Sequence, residues 1–77
     1  MRKIVEQGLA KRVGSKISLF HYNWATGQYK KFCSGELCRD QVSFYIEYEG
    51  KRYYLSSGDR ISISSERRVN SYRVFLK

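Results

Sequence analysis

Few residues in this chain could perform covalent chemistry, and they are not spaced as a catalytic set. His21 is the single histidine, and it lies in an alternating segment, where a histidine is more often structural or exposed than a general base. The carboxylates of Glu36, Asp40, Glu47 and Glu49 are explained as solvated groups or as cross-strand partners of basic residues. Because catalysis needs a nucleophile with a base, paired carboxylates or a metal, we expect the protein not to be an enzyme.

Metal and cofactor sites are not indicated either. Cys33 and Cys38 stand in the segment CSGELC, whose spacing does not match the two-residue spacing of a zinc half-site. Together with His21 they would supply at most three soft ligands. The glycines lack the spacing of a phosphate-binding loop. We expect neither metal nor cofactor, and we interpret both cysteines as small, partly buried loop residues without a disulfide.

Positive charge combined with aromatic rings is the strongest chemical signal in the sequence. Fifteen Lys and Arg against seven Asp and Glu give a net charge of +8. The chain has seven tyrosines, four phenylalanines and one tryptophan, and some of them are interleaved with basic or polar residues in the segments HYNW, QYKKF and GKRYY. Small β-sheets bind nucleic acids with cations on phosphates and rings against bases, and each stacked base contributes about 1 to 3 kcal/mol.

The sequence therefore predicts a small basic module that binds nucleic acid and prefers single-stranded or irregular RNA or DNA. The side chains expected to stack on bases are Tyr22, Trp24, Tyr45 and Tyr54. Those expected to contact phosphates are Lys30, Lys31, Lys51 and Arg52, with Arg67 and Arg68 as secondary contacts.

Two other interpretations use the same residues. Protein interfaces are also rich in Tyr, Trp and Arg, so the alternative function is a small adaptor or inhibitor that acts on a nucleic-acid enzyme. Such a regulator suits a virus or a mobile element, given the small size and the missing catalytic set. A strand at Arg60 to Ser64 could also pair with a second copy, so the chain is expected to be a monomer or an edge-paired dimer.

The segment Gln41 to Ser56 is the clearest structural element, a β-hairpin with a turn at Glu49-Gly50 or Gly50-Lys51. Either two-residue turn keeps every side chain on its face. One face then carries Phe44, Ile46, Tyr53 and Leu55, and the other carries Tyr45, Glu47, Arg52 and Tyr54. We expect the two tyrosines of the second face to be exposed to solvent or to a partner.

The N-terminal half predicts a helix and a second hairpin. Residues 2–13 fit a short amphipathic helix with Ile4, Val5, Leu9 and Val13 on one side, although Gly8 also allows a strand followed by a turn. The next hairpin has strands at 16–24 and 28–33, joined at Ala25-Thr26-Gly27. Both of its faces are apolar or aromatic, so either Ile17, Leu19 and His21 or Phe20, Tyr22 and Trp24 face the core.

The remaining segments predict short elements. Residues 34–40 read as a polar connection, and 57–59 as a tight turn. Strands are predicted at 60–64, with Ile61 and Ile63 inward, and at 71–76, with Tyr72, Val74 and Leu76 inward. Between them, 65–70 fits one helical turn or a loop.

These elements predict an all-β fold with or without the N-terminal helix, in one domain spanning 1–77. The expected architecture is a curved antiparallel sheet of five or six strands, or a partly open barrel, of the oligonucleotide-binding (OB) or SH3-like kind. A chain of 77 residues leaves little room for a deep pocket. No run is long enough to cross a membrane and the first residues lack an apolar signal core, so we expect a cytoplasmic protein without a membrane partner.

Overall fold

The computed structural model of the chain describes residues 3–55 and 60–77. Its elements are one helix, α1 (Lys3–Ala10), and six strands, β1 (Lys16–Asn23), β2 (Gln28–Arg39), β3 (Phe44–Tyr48), β4 (Lys51–Tyr54), β5 (Ile61–Ser65) and β6 (Ser71–Leu76). The prediction of an all-β fold with a short N-terminal helix is confirmed. The turn predicted at 57–59 lies outside the described residues.

The six strands form one open sheet in the order β4-β3-β2-β1-β6-β5. Four neighbouring pairs are antiparallel, as predicted, and the exception is β1 with β6, which run parallel. Parallel neighbours need a long connection between them, and here the intervening strands supply it. Strands β4 and β5 form the two edges of the described sheet, and the edge-paired dimer stays a prediction.

One face of the sheet, called the inner face, packs against α1 and carries the core. Strand residues alternate between the two faces, so apolar side chains at every second position line this face. The buried core consists of Leu9, Ile17, Leu19, Cys33, Leu37, Phe44, Ile46, Leu55, Val74 and Leu76. The opposite side of the sheet is called the outer face.

The structure resolves the two alternatives for the first hairpin. Ile17 and Leu19 are buried on the inner face, so Phe20 and Tyr22 lie on the outer face. A bulge in β2 follows the pairing of Leu19 with Cys33, and beyond it Phe20 pairs with Lys31. The turn at 25–27 is as predicted, with Gly27 at a φ of 71°.

The same bulge places His21 and Lys30 opposite each other, in the register of the inner face. His21 is exposed there, at the open end of the core, and its ring meets the Phe32 ring edge-on at 5.1 Å. The alternative that placed His21 on the core side of the sheet is therefore correct, although His21 itself is exposed rather than buried.

The polar connection predicted at 34–40 is wrong, because β2 continues through it to Arg39. Leu37 is fully buried there. A Cβ on Gly35 would lie 2.8 Å from the Glu47 carbonyl oxygen and 2.9 Å from Ile46 Cγ2, so only glycine fits this crossing. Residues of β2 up to Glu36 pair with β1 and those from Leu37 onwards pair with β3, so Gly35 lies close to the point where β2 passes from one half of the sheet to the other.

The cysteines are strand residues rather than the loop residues that we expected. Both belong to β2, and both are free thiols. Cys33 is buried on the inner face, whereas Cys38 pairs with Tyr45 on the outer face. Side chains on opposite faces of one strand cannot form a disulfide with each other.

The hairpin of β3 and β4 has the predicted faces and the register of the Glu49-Gly50 turn, with Tyr45 opposite Tyr54, Ile46 opposite Tyr53 and Glu47 opposite Arg52. Its turn has positive φ values of 51° at Glu49 and 74° at Gly50. Two successive positive values characterise the tight turn whose twist matches the two strands.

Helix α1 is confirmed, but only part of its predicted apolar side packs. Val5 and Leu9 contact the core, while Ile4 and Val13 are exposed. The helix passes close to β5, since a Cβ on Gly8 would meet Ile63 Cδ1 at an ordinary contact distance of 3.7 Å. The segment between β5 and β6 is a loop rather than a helical turn.

Candidate functional site

Strands β1, β2 and β6 bring aromatic rings together on the outer face. The register of β1 with β6 places Phe20 beside Phe75, and their rings stack with centroids 5.0 Å apart. The Tyr22 ring meets Tyr29 at 5.1 Å and Trp24 at 4.8 Å, edge-on in both pairs. Tyr29 also meets Phe75 at 5.0 Å, which makes the rings one continuous group. We call this group the open cluster: Phe20, Tyr22, Trp24, Tyr29, Phe75 and Lys77.

The open cluster presents large ring surfaces to solvent. Trp24 is 75% exposed and Tyr29 is 41% exposed, although the pairs between rings already cover part of their surfaces. The Lys77 ammonium lies 4.9 Å from the Tyr22 ring centroid and 5.6 Å from that of Trp24. A cation at this distance is attracted to the ring face. The arrangement combines a flat apolar surface with a positive charge.

The charges around the open cluster are positive. Lys31 is exposed on the outer face, next to β1. The ion pairs within the described residues use the carboxylates of Glu6, Asp40 and Glu66, and none of these involves Lys31 or Lys77. Both ammonium groups can therefore interact with an anion without first losing a carboxylate partner seen in this part of the chain.

A second aromatic group lies on the outer face of β3 and β4. The Tyr45 and Tyr54 rings are 5.4 Å apart, and the Arg52 guanidinium carbon lies 4.5 Å from the Tyr45 ring centroid. Arg52 Nη1 donates a hydrogen bond of 2.9 Å to Asp40 Oδ2, and the Tyr54 hydroxyl donates to the same oxygen. We call this group the closed cluster: Asp40, Tyr45, Arg52 and Tyr54.

The prediction that the Tyr45 side chain is exposed is wrong, because Tyr45 is only 9% exposed. Arg52 lies over its ring, so the ring offers no free surface to a base. Tyr54 is 40% exposed, but its hydroxyl is engaged by Asp40. The charge of Arg52 is balanced by the same carboxylate, and a phosphate would have to compete with it.

Asp40 is held in its ionised form by several donors. The hydrogen bond from the Tyr54 hydroxyl has the largest effect, and the backbone N–H groups of Ser43 and Val42 add to it, as does the charge of Arg52. These contacts favour the carboxylate and lower the pKa of Asp40. The closed cluster therefore remains neutralised at ordinary pH.

The two thiols are not activated. Burial raises the pKa of the Cys33 thiol, and burial together with the nearby Glu36 carboxylate raises the pKa of Cys38. A raised pKa leaves little thiolate at neutral pH, and the thiolate is the nucleophile.

The ten residues predicted to contact nucleic acid do not come together as one site. Tyr22, Trp24 and Lys31 belong to the open cluster or border it, while Tyr45, Arg52 and Tyr54 form the closed cluster. The other four lie elsewhere. Lys30 and Lys51 pair with His21 and Tyr48 in the register of the inner face, and Arg67 and Arg68 lie in the loop before β6.

Four members of the open cluster, Phe20, Tyr29, Phe75 and Lys77, were not among the ten predicted contacts. Tyr29 could have been found, because it stands two residues from Lys31 in an alternating strand. The outward position of Phe75 is predicted by the alternation of β6. Its place beside Phe20 depends on the parallel pairing of β1 with β6, for which the sequence carries no local signal.

Comparison with protein-family models, with curated proteins and with solved structures finds no match to this chain. Within residues 3–55 and 60–77, no group of three or more His, Cys, Asp or Glu side chains could hold a metal ion. No helix in the same ranges is long and apolar enough to span a membrane. The open cluster contains Trp24, the most exposed aromatic side chain among the described residues, next to the Lys77 ammonium.

Proposed function

We propose that the open cluster binds single-stranded nucleic acid, with bases stacked on Trp24 and Tyr29 and phosphates bound by Lys31 and Lys77. The observation that carries the proposal is the exposure of Trp24, 75%, at the end of a continuous group of rings on the face opposite the core. These rings are not part of the hydrophobic core on the inner face.

The rings are suited to stacking. Every base has a π-face, so an exposed ring binds single strands with little dependence on sequence. In a duplex the base faces are already stacked on one another, so a surface of this kind favours single strands. Trp24 and Tyr29 are also held by their contacts with Tyr22, so less side-chain freedom is lost on binding.

Charge supports the same ligand. The chain carries a net charge of +8, and cations lie on two sides of the open cluster, Lys31 on β2 and Lys77 after β6. Phosphates of a strand lying over the rings would fall near these ammonium groups, and each phosphate contact releases counterions.

The proposal is tested by fluorescence anisotropy with labelled single-stranded RNA, single-stranded DNA and duplex DNA over a salt series. We expect single strands to bind more tightly than the duplex. Trp24→Ala should weaken binding by about 1 to 3 kcal/mol, which is about 5- to 150-fold, because one stacked base is lost. Tyr54→Ala is the matched control, since it removes a partly exposed outer-face ring of the closed cluster, and it should change the affinity little.

A pair of charge variants tests the phosphate contacts. Lys77→Gln should make the dependence of log K on log salt shallower by about 0.7, the value for one phosphate of a single strand. Lys51→Gln makes the same change of charge in the register of the inner face and should leave the slope nearly unchanged. Equal binding to all three nucleic acids, indifferent to Trp24→Ala, would mean attraction by charge alone. In that event the alternative of a protein-binding adaptor would be tested next by affinity capture.

A further inference from the structure

Arg60 lies beside the open cluster, although the sequence did not single it out. Its backbone N–H donates to the Lys77 carbonyl at 3.2 Å, and the Lys77 N–H donates to the Arg60 carbonyl at 2.9 Å. Two residues that exchange both hydrogen bonds in an antiparallel pair lie opposite each other, with their side chains on one face. The following pair, Ile61 with Leu76, belongs to the inner face, so Arg60 and Lys77 belong to the outer face.

These positions form a row that crosses the sheet at right angles to the strands. In the order of the strands, the row starts with Arg60 before β5 and Lys77 after β6, and it continues with Tyr22 on β1 and Tyr29 on β2. Neighbouring strands are about 4.8 Å apart, so the three steps span about 14 Å. The row therefore has cationic residues at one side of the sheet and rings at the other, and Lys31 stands next to Tyr29 on β2.

At the opposite end of this part of the outer face, cations lie next to carboxylates instead. Glu36 lies opposite Lys16 in the register of β1 with β2. Glu66, in the loop before β6, forms an ion pair of 3.7 Å with Arg73. A strand that ran along β1 and β6 towards Arg67 and Arg68 would leave the rings, and the cations it met first, Lys16 and Arg73, already have carboxylates beside them.

We infer that the single strand crosses β6 and β1 at right angles, from Arg60 to Tyr29, and that Arg60 binds a phosphate at the edge of the sheet. The inference rests on the proposed function of the open cluster and adds its direction, its extent and one residue. A row of about 14 Å is short, so we expect a site of about four nucleotides, the lower end of the site sizes of small β domains that bind single strands. Arginine is well suited to the edge position because its planar fork can bind a phosphate through two hydrogen bonds.

The test uses unlabelled oligothymidylates of about two, four, six and eight nucleotides, with lengths chosen around the expected span. Binding is read from the fluorescence of Trp24, the single tryptophan of the chain. The affinity should rise up to about four nucleotides and then increase only by the statistical gain of extra registers. Arg60→Gln should make the salt slope shallower by about 0.7, and Arg60→Lys should restore it. Arg68→Gln is the matched control and should leave the slope unchanged.

The inference would be overturned if the affinity continued to rise steeply to about eight nucleotides and the slope responded to Arg68→Gln but not to Arg60→Gln. That result would mean a strand running along β1 and β6, with the proposed function intact. Failure of the proposed function is distinguishable, because no oligonucleotide would then change the Trp24 fluorescence at any length. Thermal unfolding of each variant, followed by circular dichroism, checks that the fold is retained.

Discussion

The open cluster and the closed cluster both combine aromatic rings with a cation on the same face of one sheet, but they differ in what lies next to the cation. In the closed cluster Asp40 accepts hydrogen bonds from both Arg52 and Tyr54, and Arg52 covers the Tyr45 ring. In the open cluster Lys77 lies over two rings, and no carboxylate within the described residues pairs with it. One acidic residue thus decides whether an aromatic and basic surface is available to a ligand.

The comparison shows that composition alone does not identify a binding surface. The segment GKRYY, which contributes Arg52 and Tyr54 to the closed cluster, contains two cations, whereas HYNW, which contributes Tyr22 and Trp24 to the open cluster, contains no Lys or Arg. Buried or paired cations contribute to stability, whereas an anionic ligand needs cations whose partners it can replace at little cost. The positions of acidic residues are therefore as informative as those of the basic ones.

The largest expected effect comes from Gly35→Ala, because Gly35 lies where β2 passes from one half of the sheet to the other. The new methyl group would meet the Glu47 carbonyl oxygen at 2.8 Å and Ile46 Cγ2 at 2.9 Å, so the backbone would have to move. We expect a loss of about 3 kcal/mol in the free energy of unfolding, measured by urea titration. Both clusters should be affected together, since β2 carries residues of each half.

Gly8→Ala is the matched control for this prediction. The added methyl group would lie 3.6 Å from Arg12 Nη1 and 3.7 Å from Ile63 Cδ1, which are ordinary contacts. Alanine is favoured over glycine within a helix by about 1 kcal/mol, so this variant should be more stable than the wild type. If both substitutions changed the free energy of unfolding in the same direction, the close contact of β2 with β3 at Gly35 would be contradicted.

A second effect concerns acid sensitivity and separates the two clusters. The pKa of Asp40 is lowered in the folded protein, chiefly by the Tyr54 hydrogen bond. A lowered pKa means that Asp40 stabilises the fold above the ordinary aspartate pKa of about 3.9 and that this contribution disappears as the pH falls through the folded-state value. We expect Asp40→Asn to lower the thermal midpoint at neutral pH and to make it less dependent on pH below about 4.

A carboxylate outside the closed cluster should not contribute to this acid sensitivity. Glu36→Gln serves as the control, because Glu36 is an exposed outer-face carboxylate outside the closed cluster. Its thermal midpoint should follow that of the wild type as the pH falls. If Asp40→Asn left the dependence of the thermal midpoint on pH unchanged, Asp40 would not hold the closed cluster together.

The smallest expected effect is a gain of stability in the turn that joins the two strands of the closed cluster. Glu49 has a φ of 51°, a conformation that asparagine adopts more readily than glutamate. Glu49→Asn should raise the free energy of unfolding by about 0.5 kcal/mol and leave the affinity for oligonucleotides unchanged. Glu47→Asn, in the extended strand nearby, should give no such gain, and equal effects of the two variants would contradict the role of the turn.

Local patterns in the sequence predicted the hairpin of β3 and β4 and the face of each side chain, but they left two turns open, Glu49-Gly50 and Gly50-Lys51. The structure has the first of these, which places Tyr45 opposite Tyr54. The alternating pattern predicted which face Tyr45 lies on, but not that its ring is buried. Arg52 covers this ring while it is paired with Asp40, and Asp40 lies twelve positions from Arg52 in the sequence.

Contacts distant in sequence were not predicted. The segment SGE of β2 has the composition of a loop, but Gly35 is needed there because β3 crosses so closely. The pairing of β1 with β6 leaves no local trace, and with it the place of Phe75 and Lys77 in the open cluster was missed. Alternation in β1 could not decide between its faces, because the answer depends on which face α1 covers.

The parallel pairing of β1 with β6 also has a consequence for folding. Closing a loop between such distant segments is entropically costly, and proteins rich in distant contacts fold more slowly than those with local ones. We expect the hairpins β1–β2 and β3–β4 to form early and β6 to add to the free edge of β1 afterwards. Phe75 and Lys77 arrive only with this late step. A partly folded chain would thus expose Trp24 without its cationic neighbour, and the complete surface is acquired together with the native state.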